Sequence, residues 1–331
     1  MKLLRKTMAL ALSLGLLLSA TACTYKDKPV DFNLPSTGKV LFKMGDLQCT
    51  KAEALTYLLN EKNIYGTVEG TNLWASDFNT TAITDSLKDA TLEHLTKVFV
   101  LDLYATEQGL ELSEDELASI DQAAAEYYAS LNDSELEYTG ATEQDISNMY
   151  QHYALASKVY TSLMDSVDEE VSEDEARVME AYVLFVTDES TAQEVAGLIR
   201  QGLTFERLAA TYTELDTYQV TFARNEYPAN VDEVVFNLDT DEVSEAIEAD
   251  GGYYFFQCLD KYNEELSEEN KTVIIDARRA QVLSDIENEI KDRYFSTIDT
   301  ELWDSLTIDS ADSDNLLSSS FFSTLSNYIS Y

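Results

Sequence analysis

Basic residues are scarce in this chain: 22 Lys and Arg stand against 62 Asp and Glu in 331 residues, a formal charge of −40. A surface that negative repels phosphate backbones, which excludes nucleic acid as a partner. Soft ligands are scarcer still. Two histidines, His94 and His152, and three cysteines, Cys23, Cys49 and Cys258, cannot build a structural zinc site or an iron–sulfur cluster, so neither a metal nor a cofactor is expected. The acidic runs at 168–175 and 309–314 lack the glycine and terminal glutamate of a calcium loop and read as solvated surface. Three prolines and eleven glycines rule out a collagen-like or linker-like polymer. What remains is 45% apolar and 11% aromatic, enough to bury the cores of two domains.

The one long apolar run is N-terminal. Lys2, Arg5 and Lys6 precede apolar residues 8–18, and small residues then lead to Cys23, which marks residues 1–22 as a secretion signal too short to span a bilayer. Ala20, Thr21 and Ala22 before Cys23 resemble the site at which bacterial lipoproteins are cut and lipidated on the new terminal cysteine, although Ala20 stands where leucine is usual. Cleavage as an ordinary signal peptide is the other reading. Either places the chain on the extracytoplasmic side, and the first anchors it to the cell membrane by lipid alone. Cleavage removes three basic and no acidic residues, which leaves −43. Residues 23–43, with Pro29, Pro35 and Gly38, read as a flexible stem. Cys49 and Cys258 are then left to form one disulfide or to stay as two buried thiols.

From residue 44 to 176 the pattern is helical. Thr50 with Glu53, Ser113 with Glu116, and Ser172 with Glu175 have capping-box spacing and mark three helix starts. An apolar face over 86–107, carried by Leu95, Val98, Phe99 and Leu103 and stopped by Gly109, predicts a central helix. His94 and His152 have no second ligand nearby in sequence and read as ordinary helix residues. Over 177–262 the character changes to a small α+β domain: strands at 182–186, 221–222 and 253–258, and helices at 191–200 and around Phe205 to Tyr212. Residues 263–308 open a long helix with Val273, Ala277, Ala280, Leu283, Ile286 and Ile290 in one stripe, and the Ser- and Asp-rich tail 309–331 is expected to be poorly ordered.

These motifs resemble the extracytoplasmic foldases of the PrsA and SurA type, which join a helical chaperone domain to a parvulin peptidyl-prolyl isomerase domain. The resemblance is carried by the opening run from Gly45 to Ala54, by the helix before Gly109 with its following Ser113-to-Glu116 box, by Gly202, Phe205, Leu208 and Ala209, and by the run from Val234 to Ser244 ahead of Gly252 and Tyr253. It implies an α+β fold in which a helical SurA-like domain is completed by the C-terminal helix and interrupted by a small parvulin-like domain. The partners it implies are unfolded or nascent secreted polypeptides, with a homodimer left open.

Departures from the family lie at the active site. Tyr182 and Tyr254 stand where active parvulins carry histidines, the glycine-rich turn between them is replaced by a shortened loop containing Asp216, and the proline-binding positions fall on Phe222, Tyr227 and Val231. Two readings follow. In one the chain is a foldase whose isomerase module is weakened or inactive, with both tyrosines as packing residues. In the other it is a working peptidyl-prolyl isomerase that uses Tyr182, Tyr254 and Asp216.

Overall fold

All three helix starts marked in the sequence are starts in the computed structural model, which describes residues 38–68, 71–72, 80–294, 296–308 and 315–331. The secretion signal, Cys23 and the stem up to residue 37 lie outside the described residues. The chain forms two units, one made of residues 1–166 and 280–331, the other of residues 167–279.

The first unit opens with an antiparallel hairpin, β1 (Val40–Met44) and β2 (Leu47–Thr50). Residues 40–43, expected in the stem, are strand because Leu41 and Phe42 are buried. Gly45 turns the hairpin at φ 56°, and a Cβ there would come within 2.7 Å of the Tyr294 ring, so a side chain is excluded twice over. Thr50 then accepts a hydrogen bond from the Glu53 amide at 3.1 Å and starts α1 (Lys51–Tyr65). After two very short strands, β3 (Thr67–Val68) and β4 (Thr71–Asn72), comes the central helix α2 (Thr80–Glu107), halted by Gly109 at φ 67°. Helix α3 (Glu114–Ser130) begins on the reciprocal box of Ser113 and Glu116. Boxes at Asn132 with Glu135 and at Thr142 with Asp145 start α4 (Asp133–Thr139) and α5 (Glu143–Asp165). Tyr57, Leu95, Phe99, Ile120, Tyr127 and Tyr150 are fully buried among these helices.

The third marked start, at Ser172, yields only the one-turn α6 (Glu173–Ala176), because the chain immediately extends into β5 (Val178–Val186). The second unit continues through α7 (Glu189–Arg200), α8 (Phe205–Tyr212), β6 (Gln219–Ala223), α9 (Ala229–Val235), β7 (Ile247–Ala249) and β8 (Gly252–Asp260). Its strands form one antiparallel sheet in the order β6-β5-β8-β7. Strand alternation sends Leu184, Val186 and Phe255 to the face covered by α7 and α8. Ala181, Val183, Tyr254 and Phe256 go to the face covered by α9.

Helix α10 (Glu264–Arg293) is shared in sequence between the units. Its first part belongs to the second unit, where Ser267 Oγ accepts from the Val178 amide at 3.0 Å and Arg278 donates to the Asp168 carbonyl at 2.7 Å and to Glu175 at 2.6 Å. Those bonds move the divisions to Ser166 and Arg279, away from the expected 176 and 262. From Ala280 onward the helix buries Leu283, Ile286 and Ile290 in the first unit, while Val273, assigned to the same stripe, is 63% exposed.

The helix expected over 263–308 ends at Arg293. It is followed by β9 (Ser296–Ile298), which pairs with β1, and by α11 (Thr300–Ser305). A second correction concerns the tail. Residues 309–314 lie outside the described residues, but 315–331 are ordered and include α12 (Phe321–Tyr328), in which Phe321, Phe322 and Leu325 are buried in the first unit. The expected α+β class holds: helices dominate and the sheets are small and antiparallel.

Candidate functional site

Strand pairing assembles the candidate site on the α9 face of the second unit's sheet. β7 and β8 are joined by Asp250 and Gly251, both at positive φ (53° and 76°), the conformation of a two-residue hairpin turn that Asp-Gly favours. This turn holds the Asp250 carboxylate over β8, where it accepts a hydrogen bond from the Tyr254 hydroxyl at 3.0 Å. Burial raises the Tyr254 phenol, and the hydrogen bond and charge of Asp250 add to it, pushing it up to about 12. The hydroxyl is therefore protonated at neutral pH, with its proton committed to Asp250.

Around Tyr254 the side chains are apolar or aromatic. Phe185 lies 4.5 Å away by ring centroids, Tyr227 5.8 Å and Phe256 6.0 Å. Tyr227 stands edge-on to Phe222 at 5.0 Å and to Phe256 at 5.2 Å, and burial with the nearby Glu226 charge raises its phenol. Phe222 is 3% exposed and Val231 fully buried, both in the same cluster. Phe222, Tyr227 and Val231, the positions expected to bind proline, thus share one cluster with Tyr254, which Tyr227 touches directly.

Tyr182 and Asp216 do not. Tyr182 is on β5, but its side chain points to the α7/α8 face, where it packs 5.9 Å from Tyr218, and its phenol is raised by partial desolvation and by Glu206. The strand positions that share a face with Tyr254 are Val183, paired with Phe256, and Phe185, paired with Tyr254 itself. Asp216 is exposed in the loop between α8 and β6. The sequence pattern gave the strand but not its register, and one residue of register decides the face. Phe256 follows from Tyr254 by alternation along β8, whereas Val183 and Phe185 were missed because their face is set by the pairing of β5 with β8.

Chemically, this face offers a packed aromatic surface. Both histidines of the chain, His94 and His152, belong to the first unit, and the Tyr254 hydroxyl already donates to a carboxylate. Cys258 is a buried free thiol, as is Cys49 in the first unit. Among the described residues no group of three or more His, Cys, Asp or Glu is placed to hold a metal ion, and no helix is long and apolar enough to cross a membrane.

No family model matches the chain. A stretch of 119 residues, 33% of the chain, is 31% identical to the foldase protein PrsA of Halalkalibacterium halodurans, so the match spans about a third (36%) of that curated relative's length. Among solved structures, the peptidylprolyl isomerase PrsA of Bacillus cereus is 16% identical, with 80% of this chain and 99% of that one covered at a TM-score of 0.39. A SurA-like chaperone of Campylobacter jejuni is 11% identical, with 78% and 98% covered at a TM-score of 0.26. The chain is similar in sequence to a PrsA foldase, the kind of protein that its own motifs resemble.

Proposed function

We propose that the chain is an extracytoplasmic foldase-type chaperone that holds unfolded or nascent secreted polypeptides, lipid-tethered at Cys23, and that its parvulin-like second unit does not accelerate prolyl isomerisation. The first half rests on the similarity to a PrsA foldase and on the motif order over both units. One observation carries the second half: the Tyr254 hydroxyl, at the centre of the aromatic face, donates to Asp250 with Val183 and Phe185 as its strand neighbours on that face. Turning an X-Pro bond means lowering a barrier of about 18–20 kcal/mol by binding the twisted amide better than the planar one. That needs donors aimed at the twisted amide. A hydrophobic slot alone binds both states equally.

Two measurements test the reading. The purified chain should suppress aggregation of a reduced, unfolded secreted protein, and should leave the rate of a protease-coupled prolyl isomerisation assay at its uncatalysed value. Turnover that is present and then abolished by Tyr254→Phe with Tyr182→Phe would establish the active-isomerase reading instead. For the tether, incorporation of labelled fatty acid should disappear in Cys23→Ala.

A further inference from the structure

The C-terminal residues 315–331 are held in the first unit in a way that ordinary helix packing does not require. Five side chains reach out to the main chain of this segment. Asn132 Nδ2 donates to the Asn315 carbonyl at 2.9 Å, and Asn63 Nδ2 donates to the carbonyls of Leu316 and Ser318 at 2.9 and 2.8 Å. Glu135 Oε1 accepts from the amides of Leu317 and Ser318 at 2.9 and 2.7 Å. Asn60 Oδ1 accepts from the Phe321 amide at 3.0 Å, and the Tyr150 hydroxyl donates to the Phe321 carbonyl at 2.7 Å.

The donors and acceptors come from α1, α4, α5 and the turn before α4, and Asn60, Asn132 and Glu135 are fixed by other bonds. Asn60 Nδ2 is tied to the Tyr127 hydroxyl at 2.7 Å and the Thr56 carbonyl at 2.9 Å. Glu135 spends its other oxygen on the Asn132 amide, as the cap of α4. The cradle is therefore preorganised and reads backbone. Leu317 shows this most plainly: its amide is bound while its side chain is 65% exposed.

Side chains are read as well: Leu316 and Leu325 are buried and the Ser318 hydroxyl lies 2.9 Å from that of Tyr127, but the largest contacts are aromatic. Phe321 enters a socket of Tyr57, Tyr127 and Tyr150, with ring centroids 5.3, 5.2 and 4.5 Å away, and Phe322 sits beside Tyr57, Tyr153 and His94 at 5.3, 5.3 and 5.5 Å. A non-helical stretch gripped by main-chain hydrogen bonds, leading into an aromatic pair on the first turn of α12 that fills an aromatic socket, is a recognition mode open to many polypeptide sequences. Tyrosines supply such contact area at low rotamer cost.

We propose that this cradle is the client site, that its ligand is a polypeptide segment in which a non-helical stretch leads into adjacent aromatic residues, and that residues 315–331 are a tethered occupant which such a segment displaces. The identity of the ligand rests on the foldase reading; the displaceable tail does not. A tethered occupant competes at a high effective concentration, so weak segments are refused and the aromatic surface stays covered between clients.

The test uses the full-length chain and a labelled synthetic peptide with the sequence of residues 315–331. The Phe321→Ala/Phe322→Ala chain should bind this peptide saturably and at least tenfold tighter than the unsubstituted chain, and a peptide with the same two substitutions should not bind. Equal binding to both chains, or to neither, overturns the proposal. A second measurement decides the matter even if the substituted chain loses its fold: in the unsubstituted chain the amides of Leu317, Ser318 and Phe321 should exchange hydrogen at least tenfold faster than those in the middle of α5. Exchange of both sets at one common rate would mean that the tail leaves only on global unfolding, and overturns the proposal. Finally, a reduced, carboxymethylated secreted protein should displace the bound peptide. Peptide binding that this protein does not compete away, in a chain that still suppresses aggregation, refutes the cradle as the client site. A chain that binds the peptide and suppresses no aggregation counts against the foldase reading alone.

Discussion

Glu53 is a residue whose chemistry folding alters near physiological pH. It is 3% exposed on α1, one of its oxygens has no hydrogen-bond partner, and burial raises its carboxyl to about 7 against the lowering influence of His152 and the Thr50 bond. His152 is also raised: burial pulls it down, but its short hydrogen bond to Asp102 and the charges of Glu53 and Asp102 more than offset that. Both folded-state values lie above the unfolded ones, so both contributions to stability are complete at low pH and are lost as pH rises, for Glu53 between about 4.5 and 7. The thermal midpoint should therefore fall from pH 5 to pH 8. Glu53→Gln should flatten that slope and, at pH 8, stabilise the fold by up to roughly 3 kcal/mol. A slope unchanged in Glu53→Gln would place the titration elsewhere. At the aromatic face, Tyr254→Phe removes a single neutral-to-carboxylate bond and should cost about 1 kcal/mol in a denaturant melt.

Among the elements, the pairing of β5 with β8 has no room for a side chain at Gly252. A Cβ on Gly252 would lie 2.5 Å from the Phe185 ring and 2.6 Å from the Val186 carbonyl, the latter a backbone atom that cannot swing away. Gly252→Ala should destabilise the second unit by about 1–3 kcal/mol, or more, in a denaturant melt, and near-neutrality would show that the strands can part locally. The start of α3 supports a different prediction. Ser113 and Glu116 cap each other, and Lys158 pairs with Glu116 at 2.9 Å. Despite some desolvation, the backbone bond at Ser113 and the Lys158 contact lower the Glu116 carboxyl to about 2. Ser113→Ala should cost about 1 kcal/mol at pH 7. Because a depressed carboxyl contributes above its unfolded value, that cost should shrink as pH falls from about 4.5 towards 2. The cap at Ser113 was legible because it is local, four consecutive residues deciding it. Tyr182 shows the limit: a strand's existence follows from composition, but its facing follows from which residue pairs with Gln257 across the sheet, and that lies outside the strand.

At the scale of the molecule, charge dominates. With −40 spread over 331 residues, the surface attracts basic polypeptide at long range and repels acidic polypeptide. Aggregation suppression should therefore be stronger for a basic client than for an acidic one of similar hydrophobicity, and the difference should shrink between about 0.01 and 1 M salt as the Debye length falls from about 30 to 3 Å. A preference that survives high salt would point to the aromatic socket as its source. Both units were visible in outline from the change of pattern near residue 177. Their boundaries were not, because the connector at 168–175 and the first turns of α10 are held by Arg278 and Ser267 through contacts far apart in sequence.

Composition and short-range pattern determined what is local in this protein: the acidic surface, the helix starts, the alternation in β5 and β8, and the motif order that resembles a foldase. Each depends on a few neighbouring residues and on backbone sterics that act the same in any context. Tertiary structure alone decided that Tyr182 turns away from Tyr254, that residues 296–298 complete a sheet with β1, and that a Ser-rich tail enters an aromatic socket. Phe321 and Phe322 are two aromatic residues in a polar stretch until Tyr57, Tyr127 and Tyr150 are brought around them by helices more than a hundred residues away, and burial is a property of that surrounding and not of the segment itself.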